Sequence, residues 1–403
     1  MRNERILISG AGIAGQVLAY WLARHGFRPT VVERAAELRT GGQGVDIRDQ
    51  AIGVAERMGI MPRVREHAAD VTGMRFVDRD GRTITRIDTD AIKEKQVSAE
   101  VEIMRGDLVH ILRDAVPAEV ECIFGDSIQT LAQAADGVDV TFEHAPARRF
   151  DLVIGAEGLH SAVRRLAFGP EEWFVRHMDH YFAFGNADAA LGPDRSMTVF
   201  NTPGRLAGLY RSGTSPQAKA YFMFRSDRLD WDHRDPDAAR RMLATAFGRE
   251  SDWHVPELLA GALADPDLYF DALGQVRMDS WSTGRIALVG DAAYCASPVS
   301  GAGAELSLTG AYRLAGELAM AGGDHETAFR RYQTGHRELV DRKQQIGPNL
   351  RLMVPKSRLG MVVRNTITRL PLLESLAGME RIMAPAPTPP LPDYENVSPA
   401  RHE

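Results

Sequence analysis

"RILISGAGIAGQVLAYWLARHGFRPTVVER", residues Arg5 to Arg34, is the stretch on which the fold turns. Ile6, Leu7 and Ile8 form the short apolar run of a strand buried on both faces, as in a parallel sheet. Val17, Leu18, Trp21 and Leu22 recur at helical spacing, and "HGF" at His25–Phe27 stops the helix. "TVVE", Thr30–Glu33, reads as the next strand. Strand, tight turn, helix and strand make a βαβ unit.

Between that strand and helix, Gly10, Gly12 and Gly15 spell GxGxxG. The first glycine permits the tight turn, the second lets the backbone approach a pyrophosphate, and the third allows close helix–strand packing. Exposed N–H groups at the helix start then meet phosphate charge. Glu33 stands where a carboxylate accepts from a ribose 2′-OH. Turn glycines alone would give the same letters. The flanking strand, helix and Glu33 point instead to an adenine dinucleotide.

Working outward, the 403 residues have a soluble globular composition and room for two or three packed lobes. A formal net charge of -6 supplies no basic field for nucleic acid. Cys122 and Cys295 are the only cysteines, which excludes a disulfide framework and Cys-based metal spacing. No apolar run approaches the roughly 20 residues that span a bilayer, and no secretory segment precedes the first strand. The expected setting is cytoplasmic, as monomer or homodimer.

Further along, "GGQGVD" at Gly41–Asp46 reads as a glycine loop, and Asp80-Gly81 as the turn of a β-hairpin. Between about Arg176 and Gly274, "HYFAFGNAD", "RSMTVFNTP" and "AYFMFRS" are aromatic-rich strands that suggest an antiparallel sheet. Phe182, Phe184, Phe222 and Phe224 alternate as one face of that sheet would require. "GRIALVGD" at Gly284–Asp291 is a late buried strand, followed by a glycine loop and mostly helix. "RLGMVVRNTITRLPLLESLAGMERI" is amphipathic: it could dimerise, and docking on the dinucleotide domain is the plainer expectation; from Pro385 the composition is that of a flexible Pro-rich tail. His110, at helical spacing near Leu108 and Leu112, reads as packing.

Three motifs lie in series: "GAGIAG", "DLVIGAEGLHSAVRR" at Asp151–Arg165, and "GDAAYCASPVSGAG" at Gly290–Gly303. In that order and spacing the chain resembles the class A flavoprotein monooxygenases of the para-hydroxybenzoate hydroxylase fold, to about residue 345. Its length looks closest to compact tetracycline-inactivating and antibiotic-tailoring hydroxylases. The resemblance implies an α/β fold: a Rossmann-like FAD-binding domain from 1–70, 97–175 and 275–345, and a mainly antiparallel substrate domain from 71–96 and 176–274. A helical segment at 346–384 and the tail at 385–403 would complete the chain.

The same resemblance implies FAD contacts at Gly10, Gly12, Ala14, Gly15, Glu33, Arg34, Asp46, Arg105, Glu157, Asp291, Pro298, Gly301, Gly303 and Ala304. Asp291 would touch the ribityl-pyrophosphate, and the loop Pro298–Gly303 would run along the isoalloxazine edge. The helix beginning near Ala304 would aim its N-terminus at N1 and O2, where charge collects on reduction. Read alone, Arg105 is a surface helix arginine, Asp46 a loop residue capping the next helix, and Gly290-Asp291 a strand end. Arg39 aligns with a position that can guide the nicotinamide, and an exposed arginine is the other reading.

The implied chemistry is oxygen transfer from a flavin C4a-hydroperoxide, formed from NAD(P)H, FAD and O2, to a hydrophobic aromatic or polyketide-like molecule. It needs few catalytic side chains, and the sequence contains no Ser/His/Asp or metal constellation. Three departures stand out. Glu157 replaces the family's Asp and bears on nicotinamide docking, Tyr294 replaces a His, and Glu305 brings a carboxylate to the helix entrance, where it would have to point aside. Two readings compete with the monooxygenase: FAD as scaffold of a non-redox cyclase or isomerase, and a non-catalytic flavin-binding protein.

Overall fold

The opening unit folds as strand Arg5–Ser9, helix Ile13–Arg24 and strand Arg28–Glu33, the two strands parallel. The computed structural model describes residues 2–38, 41–88, 100–213, 217–345, 349–369 and 390–394. The unit sits inside a six-stranded sheet ordered Ser282–Thr283, Ile286–Leu288, Leu152–Gly155, Arg5–Ser9, Arg28–Glu33, Glu121–Phe124. All its pairings are parallel except that of the two-residue Ser282–Thr283. Ile6, Leu7, Ile8, Leu152, Val153 and Ile154 are fully buried, as strands covered on both faces must be. The helix Gly303–Met320 packs on Ile13–Arg24, with Trp21 edge-on to Tyr312 at 4.8 Å.

A second, seven-stranded sheet has the order Tyr269–Val276, Val175–Ala187, Ala218–Arg225, Arg205–Arg211, Ser196–Thr202, Gly73–Val77, Thr83–Asp88. Its pairings are antiparallel except Gly73–Val77 with Ser196–Thr202. The fold is therefore mixed α/β, a parallel layer beside a mainly antiparallel one.

Register corrects the aromatic face. Phe182 lies opposite Met223 and Phe184 opposite Tyr221, whereas Phe222 lies opposite Ala183 and Phe224 opposite Tyr181. Directly paired residues share a face, so the four phenylalanines divide two and two. Phe222 and Phe224 pack under the helices Pro236–Phe247 and Val255–Ala264. Phe182 faces the other way, in a cluster that includes Met223, Leu273, Tyr221, Tyr269 and Val299.

Two C-terminal expectations also change. The helix Arg358–Arg369 packs against Thr83–Asp88, not the parallel layer. Its Arg364 lies 4.3 Å over Phe76 and donates to Asn201 Oδ1, partners that only the second sheet supplies. In the tail, Tyr394 is buried beside Tyr312, donates to Glu317 Oε1 at 2.6 Å, and its N–H donates to Tyr312 Oη at 3.1 Å. Within that tail, residues 390–394 are thus pinned, because an aromatic ring and its partners outweigh the prolines around it, while 370–389 and 395–403 lie outside the described residues. His110 is exposed, and does not pack in the core as its spacing suggested.

Candidate active site

Three of the motifs' turns meet at the N-terminus of Ile13–Arg24. Gly10 has φ +104°, and a Cβ there would lie 2.6 Å from the Ala156 carbonyl oxygen, so only glycine fits the crossing. A Cβ on Gly15 would stand 1.9 Å from the Gly10 oxygen. A Cβ on Gly12 would face Arg105 Nη2 at 3.6 Å, which places that guanidinium beside the helix start. Gly290 backs onto Ala14, a Cβ there lying 2.8 Å from the Ala14 methyl, and Asp291 opens the short helix Asp291–Tyr294 that follows. Burial raises the Asp291 carboxyl above its ordinary range, opposed by the Arg105 charge and a hydrogen bond with Cys295. Glu33 Oε2 accepts from the Ala11 N–H at 2.7 Å and Oε1 from Ala35 N–H at 2.9 Å, fixing the carboxylate across the glycine turn. Arg34 is exposed, close enough to His233 to help lower that imidazole's pKa.

A second group gathers around the late loop. Pro298–Ser300 is a short 3-10 turn, and Gly301 continues it at φ +59°, a left-handed conformation. A Cβ on Gly301 would touch Asp46 Oδ2 and Arg48 Nη2, both at 3.4 Å. Arg48 donates to the Ser300 carbonyl at 3.0 Å. Gly303 and Ala304 open the helix Gly303–Met320, and a Cβ on Gly303 would meet nothing within 4 Å. Glu305 indeed points aside: fully buried, its Oε2 lies 2.6 Å from Lys343 Nζ and 3.9 Å from Arg48 Nε. Burial raises its pKa, against the pull of Lys343 and Arg48.

The other departures are satisfied internally. Glu157 accepts from Ser161 Oγ at 2.6 Å and from the Val163 N–H at 3.1 Å, holding the N-terminus of the helix Ala162–Ala167. Tyr294 is buried against Trp281 and within 3.0 Å of the Tyr332 hydroxyl, in the interior of the parallel layer. Arg39 lies outside the described residues. Sequence reasoning missed Arg48, whose partners Ser300 and Glu305 lie 252 or more residues away, and Lys343, whose partner Glu305 stands on a different helix. It also missed His160, although that residue sits inside the second motif.

An extended dinucleotide fits this surface. Neither Ile13–Arg24 nor Gly303–Met320 has a side-chain cap at its first turn, so both present free N–H groups to an anion or a carbonyl oxygen. Arg105 stands at one end, and open space lies over Gly303 at the other. Among the described residues no group of His, Cys, Asp and Glu is arranged to hold a metal, and no helix is long and apolar enough to cross a membrane.

Fold and site together define a class A FAD monooxygenase. Residues 4–342 match the FAD binding domain family, and the chain belongs to it. It is 40% identical to a flavin-dependent monooxygenase of Legionella longbeachae over 346 residues, covering 86% of this chain and 88% of that protein. An uncharacterized protein of Mycobacterium tuberculosis is 44% identical over 343 residues, covering 85% and 92%. Among solved structures, the tetracycline destructase Tet(51) superposes with TM-score 0.79 at 34% identity, over 95% of this chain and 96% of that one. The chain is an oxidoreductase of the flavin-dependent monooxygenase kind.

Proposed function

We propose that the protein uses NAD(P)H and O2 to hydroxylate or epoxidise a hydrophobic aromatic or polyketide-like small molecule. The observation that carries this reading is the meeting of Gly12, Arg105 and Asp291 beside the start of Ile13–Arg24, with open space over Gly303 at the start of Gly303–Met320. These groups would hold the FAD pyrophosphate on Gly10, Gly12, Ala14 and Gly15, the adenosine ribose at Glu33 with Arg34 beyond, and the flavin ring along Pro298–Gly303 and Ala304. Asp46 would lie at the ring's edge, and Arg105 and Asp291 would bracket the link between ring and pyrophosphate. Bound FAD supplies the electron transfer that activates O2.

The chain's own part is position, charge and exclusion of water. The first turn of Gly303–Met320 offers N–H groups where reduction places negative charge, and Lys343 keeps the Glu305 carboxylate turned from them. The aromatic face bearing Phe182, Tyr221 and Tyr269 would cover the ring and present the substrate. On this reading residues 1–70, 97–175 and 275–345 bind FAD, and 71–96 and 176–274 bind substrate. The similarity to the tetracycline destructase Tet(51) favours a polycyclic aromatic substrate.

The test is direct. Purified protein is expected to be yellow with about one FAD per chain. NADH or NADPH should bleach the flavin and air restore it, faster with a polycyclic aromatic present. A colourless protein, or a flavin that neither nicotinamide reduces, overturns the reading.

A further inference from the structure

The sheet face turned toward Val299 carries one continuous polar chain. Tyr269 donates from its hydroxyl to Asp271 Oδ2 at 3.2 Å. Asp271 Oδ1 lies 3.0 Å from His160 Nε2 and also accepts the Ala272 N–H at 2.7 Å. His160 Nδ1 lies 3.0 Å from both oxygens of Glu171. Each imidazole nitrogen therefore faces a carboxylate, which only a doubly protonated ring can satisfy. His233 stacks on the ring at 4.2 Å, and Arg164 reaches Glu171 at 3.4 Å.

Protonation at each member agrees. Burial alone would lower the His160 pKa, but hydrogen bonds and charge from Asp271 and Glu171 raise it to about 9. Glu171 is held below the ordinary carboxylate range against its burial, chiefly by His160. Burial and then the Asp271 charge hold the Tyr269 phenol well above its ordinary value, so it keeps its proton. His233 is driven to about 4 by burial and then by the His160 charge, and stays neutral.

This chain fixes a direction. Asp271 faces three donors, the Tyr269 hydroxyl, His160 Nε2 and the Ala272 N–H, so the single Tyr269 hydrogen is committed to it. What remains on the phenol oxygen is lone pairs. The ring is half-buried and packs 5.1 Å from Phe182, in the cluster that also takes in Val299 of the late loop. We propose that Tyr269 selects a substrate presenting a hydrogen-bond donor, a phenolic or enolic hydroxyl, with Asp271 and His160 as positioning residues that make its oxygen an acceptor. This rests on the monooxygenase reading, since it places the substrate between the sheet and the late loop. A methyl ether at the same ring position would set an oxygen against an oxygen, and a site built for a donor rejects the analogue lacking it.

The experiment uses the FAD-loaded protein and two probes, 2-naphthol and 2-methoxynaphthalene, followed by perturbation of the flavin absorption band. Wild type should bind the naphthol about tenfold more tightly than the ether, the worth of one good hydrogen bond. Tyr269→Phe should bring the two affinities within about twofold of each other. Asp271→Asn should reverse the preference. Its Oδ1 still accepts from His160 and Ala272, but its amide then donates to Tyr269, whose hydrogen turns toward the ligand. A general loosening of the site would weaken both probes alike. Nitrogen NMR of His160 should report both ring nitrogens protonated at pH 7. Equal affinities in wild type, no binding of either probe, an unreversed Asn variant, or a neutral His160 each overturns the proposal. A protein without FAD fails the underlying reading, and shows it before any probe is added.

Discussion

Lys343→Met removes the ammonium 2.6 Å from a carboxylate that is 0% exposed, while leaving a side chain of similar length. Breaking a buried pair from one side costs about 3–5 kcal/mol, because the other charge is left without solvent or partner. Glu305 has an escape, which is to take up a proton. With an ordinary carboxyl pKa of about 4.3, protonation at pH 7 costs about 3.7 kcal/mol, and that sets a ceiling on the damage. Burial already raises the wild-type carboxyl, which lowers the ceiling further, and Arg48 at 3.9 Å retains part of the attraction. The expected loss is therefore about 3 kcal/mol at pH 7. In the variant the folded carboxyl is raised further above its unfolded value, so folding takes up a proton. That contribution is full at low pH and fades as pH rises. The gap to wild type should thus shrink by about 1.4 kcal/mol for each unit of acidification, to about 1 kcal/mol or less at pH 5. Urea unfolding of both proteins at pH 5, 6 and 7 measures it, and Lys343→Met/Glu305→Gln should recover most of the loss at pH 7. A gap independent of pH, or a double variant no steadier than the single, would refute the reasoning.

Gly316→Ala would place a methyl 2.1 Å from the Tyr394 ring. Expelling the ring should cost about 1–3 kcal/mol and open residues 390–394 to protease, read by mass spectrometry of the clipped tail. His160 binds its proton more tightly folded than unfolded, so its stabilisation is full below about pH 6.5 and is lost as pH rises through about 9. The stability gap between wild type and His160→Gln should accordingly narrow by about 3 kcal/mol between about pH 6 and pH 10, in denaturant titrations at both ends. Glu157→Asp shortens a side chain now satisfied by Ser161 and the Val163 N–H. We expect unchanged FAD content and faster flavin reduction by NAD(P)H in stopped-flow measurements, a change of up to about 100-fold. Slower reduction or lost FAD would mean that the longer carboxylate is already fitted to its place.

The parallel layer was legible because its signals are local. Apolar triplets, helical spacing and three glycines within six residues each report on neighbours in the chain. The second sheet was read in outline, but Tyr269–Val276 was not recognised as a strand. Its sequence, "YFDALGQV", carries an Asp, a Gly and a Gln, which argue against a buried strand until His160 and Gln344 are seen to satisfy Asp271 and Gln275. "RLAGLYR" at Arg205–Arg211 was missed for a related reason: it has a glycine at its centre and gains burial only from neighbours on both sides. Register cannot be read from one strand at a time, which is why Phe222 was placed on the wrong face. The ion pairs of Glu305 were beyond any spacing argument, since Arg48, Glu305 and Lys343 come from separate elements.

The interleaving of the two sheets has a consequence for biogenesis. Gly73–Val77 lies between its hairpin partner and Ser196–Thr202, and Leu152–Gly155 is flanked on its far side by Ile286–Leu288. During synthesis from the N-terminus, the antiparallel sheet cannot close until Tyr269–Val276 has been made, nor the parallel one until Ile286–Leu288. Open edges of both kinds must wait together, so contact order is high and folding correspondingly slow. Nor can a single cut release one layer as a fragment that folds alone. Each layer is threaded through the other's sequence, and the two must be made, folded and lost as one.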